Sequence, residues 1–246
     1  SLGLIGLLLI LSFWVKNHEI IARSPKKIGL LGVLLLLTYF SHILMFSMSL
    51  LAVSCYTLAT FLKQYFETRQ LKAAFVSHLK KALVLLGCAL IPLTLMVLYF
   101  ANRPGSGDQS FIPGKELLKM LVDIKSIICY AEGLEKVFTR IIAGILFALV
   151  IAGMYHRIKS RKTVDLSSGE KGLFRLTDVW LVLTGIMVFL LFKMPDINGM
   201  ASIISMRFAL LSFVFWLIWI SSLKPGKWFV FVCSILLLTF HFKRIR

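Results

Sequence analysis

The sequence predicts an all-α protein, a polytopic transmembrane bundle of about eight helical spans with an amphipathic helix on its exterior face. The first observation is composition, since 59% of the 246 residues are hydrophobic and the mean hydropathy is +0.88. One globular core of this size cannot bury so much apolar surface, so lipid must cover the rest. The second observation is that long apolar runs alternate with short basic segments. We therefore interpret residues 1–246 as a single transmembrane domain.

The start of the chain is already apolar. It begins at Ser1 without methionine and continues as SLGLIGLLLI. We expect the sequence to be a segment of a longer protein. The other interpretation, a signal peptide, lacks a basic first region and a clear cleavage site of small residues.

The basic residues identify the class of partner. The net charge is +17, yet the lysines and arginines form short clusters between apolar runs and do not make one basic patch. This distribution is typical of spans whose flanking cations stay on the cytoplasmic side. The predicted partner is therefore the lipid bilayer, and no nucleic-acid partner is expected.

Length and hydropathy define the spans, because a helix needs about 20 apolar residues to cross a bilayer core of about 30 Å. The candidate spans are Leu2–Val15, Ile28–Leu62, Ala82–Ala101, Phe138–Tyr155, Leu176–Phe192, Ile203–Leu223 and Trp228–Phe242. The second of these runs is too long for a single crossing. We expect it to contain two helices.

The flanking charges place the break in this long run. Lys16–Lys27 and Lys63–Lys81 are both rich in basic residues, so both are predicted to be cytoplasmic. An even number of crossings must then lie between them. Ile28–Leu62 is therefore predicted to be a tight helical hairpin, with the polar residues Tyr39 to His42 at the outer surface. This brings the predicted number of spans to eight.

Counting the crossings in the same way assigns the remaining loops to one side of the membrane or the other. Residues 102–137 balance basic with acidic side chains and form a predicted exterior loop, whereas residues 156–175 form a basic cytoplasmic loop. The tail conflicts with this scheme, because Lys243, Arg244 and Arg246 would lie outside. Either the last apolar run does not cross or the tail is an exception to the charge rule.

The exterior loop contains a helical pattern that starts after Pro113 and Gly114. Its apolar stripe consists of Leu117, Leu121, Ile124, Ile128 and Ala131. This pattern predicts an amphipathic helix on the outer membrane face. The helix either packs on its neighbours as a lid or contacts a substrate, and the sequence leaves both open.

The motifs of soluble enzymes are absent: the sequence contains no GxxxxGK[ST], GxGxxG, HExxH or GxSxG pattern. Candidate functional residues are therefore polar side chains at membrane depth. His42 is predicted near the outer end of two spans, where it accepts a proton or binds a phosphate or a sugar hydroxyl. The alternative is that His42 caps a helix turn at the water interface.

Arg207 is the strongest binding candidate. It follows the helix-breaking turn KMPDING and lies about one turn into the next apolar run. An arginine there extends to the interface, pairs with an acid such as Asp196, or binds an anion. We predict Arg207, His42 and Asp196 as substrate-binding residues. The exterior carboxylates could serve as a base or bind a divalent metal, but an ordinary solvated face explains them as well, so the metal requirement stays open. These carboxylates are Asp108, Glu116, Asp123 and Asp196.

Two sequence segments resemble a known family. YFSHILMF, from Tyr39 to Phe46, and PDINGMASIISMR, from Pro195 to Arg207, are similar to segments of bacterial polytopic GT-C glycosyltransferases. The resemblance implies a polyprenyl-phosphate-linked sugar as donor, an active site at the outer face of the bacterial plasma membrane, and an acidic catalytic residue in the first exterior loop. That loop would precede Ser1, so the catalytic residue is unknown.

Other function classes remain open at this point. A polysaccharide polymerase or ligase also handles lipid diphosphates through exterior arginines and histidines. A lipid-linked-sugar transporter would show broken helices and a repeated architecture, and only one broken hairpin is visible here. A non-catalytic membrane subunit is the last alternative, so whether the chain is an enzyme is undecided by the sequence.

Overall fold

The computed structural model describes residues 2–102, 109–123, 140–155, 175–198, 204–223 and 231. Contacts between residues divide the chain into two compact units, a first unit Ser1–Pro104 and a second unit Gly105–Arg246. The described residues are almost entirely helical, which confirms the predicted all-α class. A pair of two-residue strands in the second unit is the exception.

The first unit contains four helices. They are α1 (Leu2–Asn17), α2 (Pro25–Ser41), α3 (Ile43–Thr68) and α4 (Leu71–Ala101), with a short 3-10 helix, Ile21–Arg23, between α1 and α2. Helix α1 packs against both α2 and α3, and α4 packs against the same two helices. Leu7, Ile10 and Trp14 of α1 are almost completely buried in this arrangement.

The break in the long apolar run lies where the sequence predicts it. Helix α2 ends at Ser41 and α3 begins at Ile43, so His42 alone separates them. The loop that follows is shorter than expected. Helix α3 continues to Thr68 and α4 begins at Leu71, so most of Lys63–Lys81 is helical. Lysine, glutamine and glutamate favour helix almost as well as leucine, so the helices do not end where the apolar runs end.

Two glycines of α1 lie close to side chains of α2 and of the residue that follows it. A Cβ atom on Gly3 would lie 2.7 Å from Cβ of His42, and one on Gly6 would clash with Oγ1 of Thr38. Small residues of this kind allow membrane helices to approach one another closely. Gly3 and Gly6 thus allow α1 to pack closely against the break between α2 and α3.

The second unit contains α5 (Gly114–Val122), α6 (Arg140–Tyr155), α7 (Val179–Lys193) and α8 (Ile204–Ser222). A 3-10 turn, Leu176–Asp178, precedes α7. The strands are β1 (Gln109–Ser110) and β2 (Ile197–Asn198). Helices α7 and α8 form the main packed pair, in which the rings of Trp180 and Phe215 stack 6.2 Å apart at 15°.

The expected amphipathic helix is present in its first part. Leu117 and Met120 of α5 are buried, whereas Lys115 and Leu118 are exposed. The rest of the predicted stripe, from Ile124 onward, lies outside the described residues. So do most of the basic loop 156–175 and the last apolar run.

Four helices among the described residues are long and apolar enough to cross a membrane: Ile43–Thr68, Ala74–Ala101, Leu176–Lys193 and Ile204–Ser222. Two shorter apolar helices are Leu2–Asn17 and Arg140–Tyr155. These helices indicate an integral membrane protein. The count of eight spans stays a prediction.

Candidate functional site

The strand pair joins two loops of the second unit. Strands β1 and β2 are antiparallel, with Gln109 opposite Asn198 and Ser110 opposite Ile197. The backbone N–H of Asp196 extends this ladder by donating to the carbonyl oxygen of Ser110 over 2.9 Å. The two loops therefore lie on the same side of this unit, as the predicted topology requires.

Asp196 is held at the start of α8. Its carboxylate Oδ1 accepts a hydrogen bond from the backbone N–H of Ser205 at 3.0 Å, and its carbonyl oxygen accepts one from Ile204 at 3.2 Å. The first N–H groups of a helix lack partners within the helix, and an acidic side chain there also complements the helix dipole. Asp196 thus caps α8 from eight residues upstream of its first residue.

Arg207 lies in the first turn of the same helix and is half-buried. Within the described residues, no carboxylate lies at ion-pair distance from its guanidinium. The structure therefore brings Asp196 and Arg207 to one helix end without pairing them. The carboxylate is bonded to the backbone of Ser205, and Arg207 belongs to the first turn of the helix, whose N-terminal end favours anions.

His42 belongs to the first unit and sits between two helices. Its backbone N–H donates to Thr38 of α2 over 2.9 Å, and its carbonyl oxygen accepts from Phe46 of α3 over 3.0 Å. Its backbone is extended, with φ of −172° and ψ of 111°, and its ring is half-buried. This is the helix-capping position that the sequence analysis weighed against a substrate-binding role.

An ion pair between a buried carboxylate and an exposed arginine in the second unit was not predicted. Asp123, at the end of α5, is only 3% exposed, and Nε of Arg140 donates to its Oδ1 over 2.8 Å. The sequence analysis included Asp123 among the exterior carboxylates, whereas the structure assigns it to holding α5 against the start of α6. The one available signal was an arginine directly before an apolar run.

A second polar contact links α3 to α4 in the first unit. His78 is buried; its Nδ1–H donates to the carbonyl oxygen of Ala74 over 2.9 Å, and its Nε2 lies 3.2 Å from Oγ1 of Thr60. The ring of Phe61 packs edge-on against the imidazole. His78 therefore connects the two helices of a hairpin.

The described residues contain no group of three or more histidine, cysteine, aspartate or glutamate side chains placed to hold a metal ion. Comparisons with protein-family models, curated proteins and solved structures found no match for this chain. Function must therefore be argued from the residues themselves.

Proposed function

We propose that this protein is an integral membrane glycosyltransferase that uses a polyprenyl-phosphate-linked sugar at the outer face of a bacterial plasma membrane. The proposal starts from the sequence resemblance of Tyr39–Phe46 and Pro195–Arg207 to GT-C enzymes. In this proposal Arg207 binds the phosphate of the donor.

The observation that carries the proposal is the position of Arg207. A half-buried guanidinium lies in the first turn of an apolar helix of 19 residues, without a carboxylate partner among the described residues. A polyprenyl phosphate has the complementary form, an anionic head on a long apolar chain. Guanidinium stays charged and offers two parallel N–H donors to phosphate oxygens. The guanidinium would then bind the anionic head of the donor, and the apolar chain of the donor would stay in the bilayer around the helices.

Asp196 has a positioning role in this proposal. By capping α8 it holds the helix end that carries Arg207, and its backbone is in turn tied to Ser110. Helix α5 follows β1 by a short connection and supports the same loop region. The assignment of His42 to the substrate stays a prediction from the sequence.

Sugar transfer sets the chemical requirements. The bond between the anomeric carbon and the phosphate oxygen breaks, and the anomeric carbon bonds to an acceptor hydroxyl oxygen. The hydroxyl proton goes to a general base, and the electron pair of the broken bond leaves on phosphate. Arg207 stabilises the negative charge that develops on this phosphate, which is electrostatic catalysis by a fixed donor. No described residue is assigned as the base.

The test compares Arg207→Ala with wild type in one membrane preparation, using radiolabelled sugars on a panel of polyprenyl phosphates. We expect Arg207→Ala to lower transfer at least about 100-fold, the scale of losing one charge-stabilising donor, with unchanged membrane insertion. Arg207→Lys should restore part of the activity, since it returns the charge but not the bidentate geometry. Lys193→Ala, an exposed cation at the end of α7, is the matched control and should retain activity.

Unchanged transfer by Arg207→Ala would remove this residue from the site. No transfer by the wild-type protein with any donor would overturn the glycosyltransferase proposal. In that case polymerisation, ligation, transport or a non-catalytic role would have to be tested next.

A further inference from the structure

An apolar groove of about 630 Å³ runs between α3 and α4 in the first unit. Its wall on α4 is formed by Phe75, Leu79, Ala82, Leu86, Ala89 and Leu93. Along α3 the groove extends from Leu50 to Phe61, about 16 Å, and along α4 from Phe75 to Leu93, about 27 Å, at about 1.5 Å per residue. The longer wall approaches the thickness of a bilayer core, about 30 Å, so an acyl chain can lie along it.

The groove wall suits hydrocarbon. Its polar side chains are Ser54, Thr57 and His78, and the last two are engaged within the protein. The hydroxyl of Thr57 donates to the carbonyl oxygen of Val53 over 2.8 Å, and His78 bonds to Ala74 and approaches Thr60. An occupant therefore meets an apolar surface with no strong requirement for polar partners.

One end of the groove is cationic. The six groove residues of α4 named above are spaced alternately four and three residues apart, so they lie on one side of the helix. Lys72 precedes Phe75 by three residues and therefore lies on the same side, one turn nearer the start of α4. Arg69 stands in the two-residue turn between α3 and α4. Both side chains are exposed, and no described carboxylate pairs with either of them. The neighbouring Lys63, by contrast, lies 3.7 Å from Glu67.

Arg69 is not required by the shape of this turn. Its φ is 53°, a left-handed conformation that favours glycine, and the turn is closed by its backbone N–H, which donates to Tyr65 over 2.8 Å. A glycine would close the turn with less strain. The charge of Arg69 therefore needs an explanation other than helix termination.

We propose that this groove binds one acyl chain of an anionic glycerophospholipid whose phosphate is held by Lys72 and Arg69. The apolar stripe supplies the contact with hydrocarbon, and the two cations at its end supply the contact with the headgroup. Cations near the membrane surface attract anionic lipids, and basic pockets between membrane helices bind their headgroups. The lipid comes from the leaflet that faces the α3–α4 turn.

The headgroup test uses the purified full chain, delipidated in detergent and titrated with phosphatidylglycerol or phosphatidylcholine of identical acyl chains. Native mass spectrometry measures the Kd of the first bound lipid. We expect phosphatidylglycerol to bind about 25-fold more tightly, about fivefold for each cation. Lys72→Ala and Arg69→Gly should each remove about fivefold of this preference. Lys26→Ala, an exposed cation of α2, should leave the preference unchanged.

The groove test uses tryptophan at neighbouring positions of α4. Ala82→Trp fills the groove and should weaken the binding of both lipids several-fold. Leu83 is exposed outside the groove, so Leu83→Trp should leave the binding of both lipids unchanged. Thermal unfolding of each variant establishes that the fold is retained, and Ala82→Ile is a smaller filling that should weaken binding in the same direction.

Equal affinity for the two lipids, or an unchanged preference in both Lys72→Ala and Arg69→Gly, would overturn the headgroup assignment. Unchanged binding in both Ala82→Trp and Ala82→Ile would overturn the groove. The alternative result is that a polyprenyl monophosphate binds more tightly than phosphatidylglycerol and loses this binding in Ala82→Trp. That result would replace the glycerophospholipid as the occupant of the groove. None of these results depends on glycosyl transfer.

Discussion

The two units bond their buried hydroxyls alike and differ in their carboxylates; Ser212 of the second unit, for example, donates to Ala209 of its own helix over 2.7 Å. In the first unit the buried hydroxyls of Thr38 and Ser49 donate to the backbone of their own helix, each over 2.7 Å. In the second unit the described carboxylates of Asp123 and Asp196 reach other segments at the ends of helices. A neutral hydroxyl can be bonded locally at membrane depth, whereas a charge needs a partner or water. Among the described residues, carboxylates that hold helix ends are therefore the feature that distinguishes the second unit.

The largest expected effect on stability concerns the ion pair of the second unit. Arg140→Ala removes one hydrogen-bond donor from the buried carboxylate of Asp123 and should lower the free energy of unfolding by about 3 kcal/mol, the upper end for a buried polar group that loses a partner. Asp123→Ala should cost less, because Arg140 is 58% exposed and can be hydrated when the carboxylate is gone. Unfolding by heat or by titration with dodecyl sulfate measures both. Equal losses would show that burial of the carboxylate does not decide the cost.

A smaller effect is expected where α1 packs closely against α2. Gly6→Ala places a methyl group against the hydroxyl of Thr38 and should lower the free energy of unfolding by about 2 kcal/mol. Gly29→Ala is the matched control, since a Cβ there meets nothing within 4 Å. It should be neutral or slightly stabilising, because alanine favours helix over glycine. The same unfolding measurement applies, and equal effects of the two substitutions would contradict the close-packing interpretation.

The smallest effect is expected for a buried neutral hydroxyl. Ser49 is completely buried, yet its hydrogen bond goes to Met45 of its own helix, four residues earlier. The carbonyl of Met45 keeps its helical bond when the hydroxyl is removed. Ser49→Ala should therefore change the free energy of unfolding by at most about 0.6 kcal/mol. A loss as large as that of Arg140→Ala would remove the difference between the two units.

Sequence reasoning was most successful for elements that depend on local composition. It placed the break between two helices at Tyr39 to His42, and the structure has it at His42. It also predicted the helix after Pro113, which the structure confirms over Gly114–Val122. It ended the helices around the Lys63–Lys81 segment too early, because hydropathy marks the membrane boundary and not the end of a helix.

The contacts within the candidate site could not be predicted from the sequence in the same way. Asp196 and Arg207 were chosen as polar residues near an apolar helix, and pairing between them was one of the alternatives. The structure bonds the carboxylate to the N–H of Ser205 instead. Both choices agree with the spacing in the sequence, and only the contacts of the Asp196 carboxylate in the structure separate them.

The sequence by itself determined the class of protein and the positions of most described helices, because hydropathy and helix propensity are sums over neighbouring residues. The tertiary structure decided where each polar group finds its partner. It paired Asp123 with Arg140, seated Gly6 against Thr38 and joined β1 to β2. These outcomes depend on which distant segments come within about 3 Å of each other, and hydrogen bonds and ion pairs require that distance.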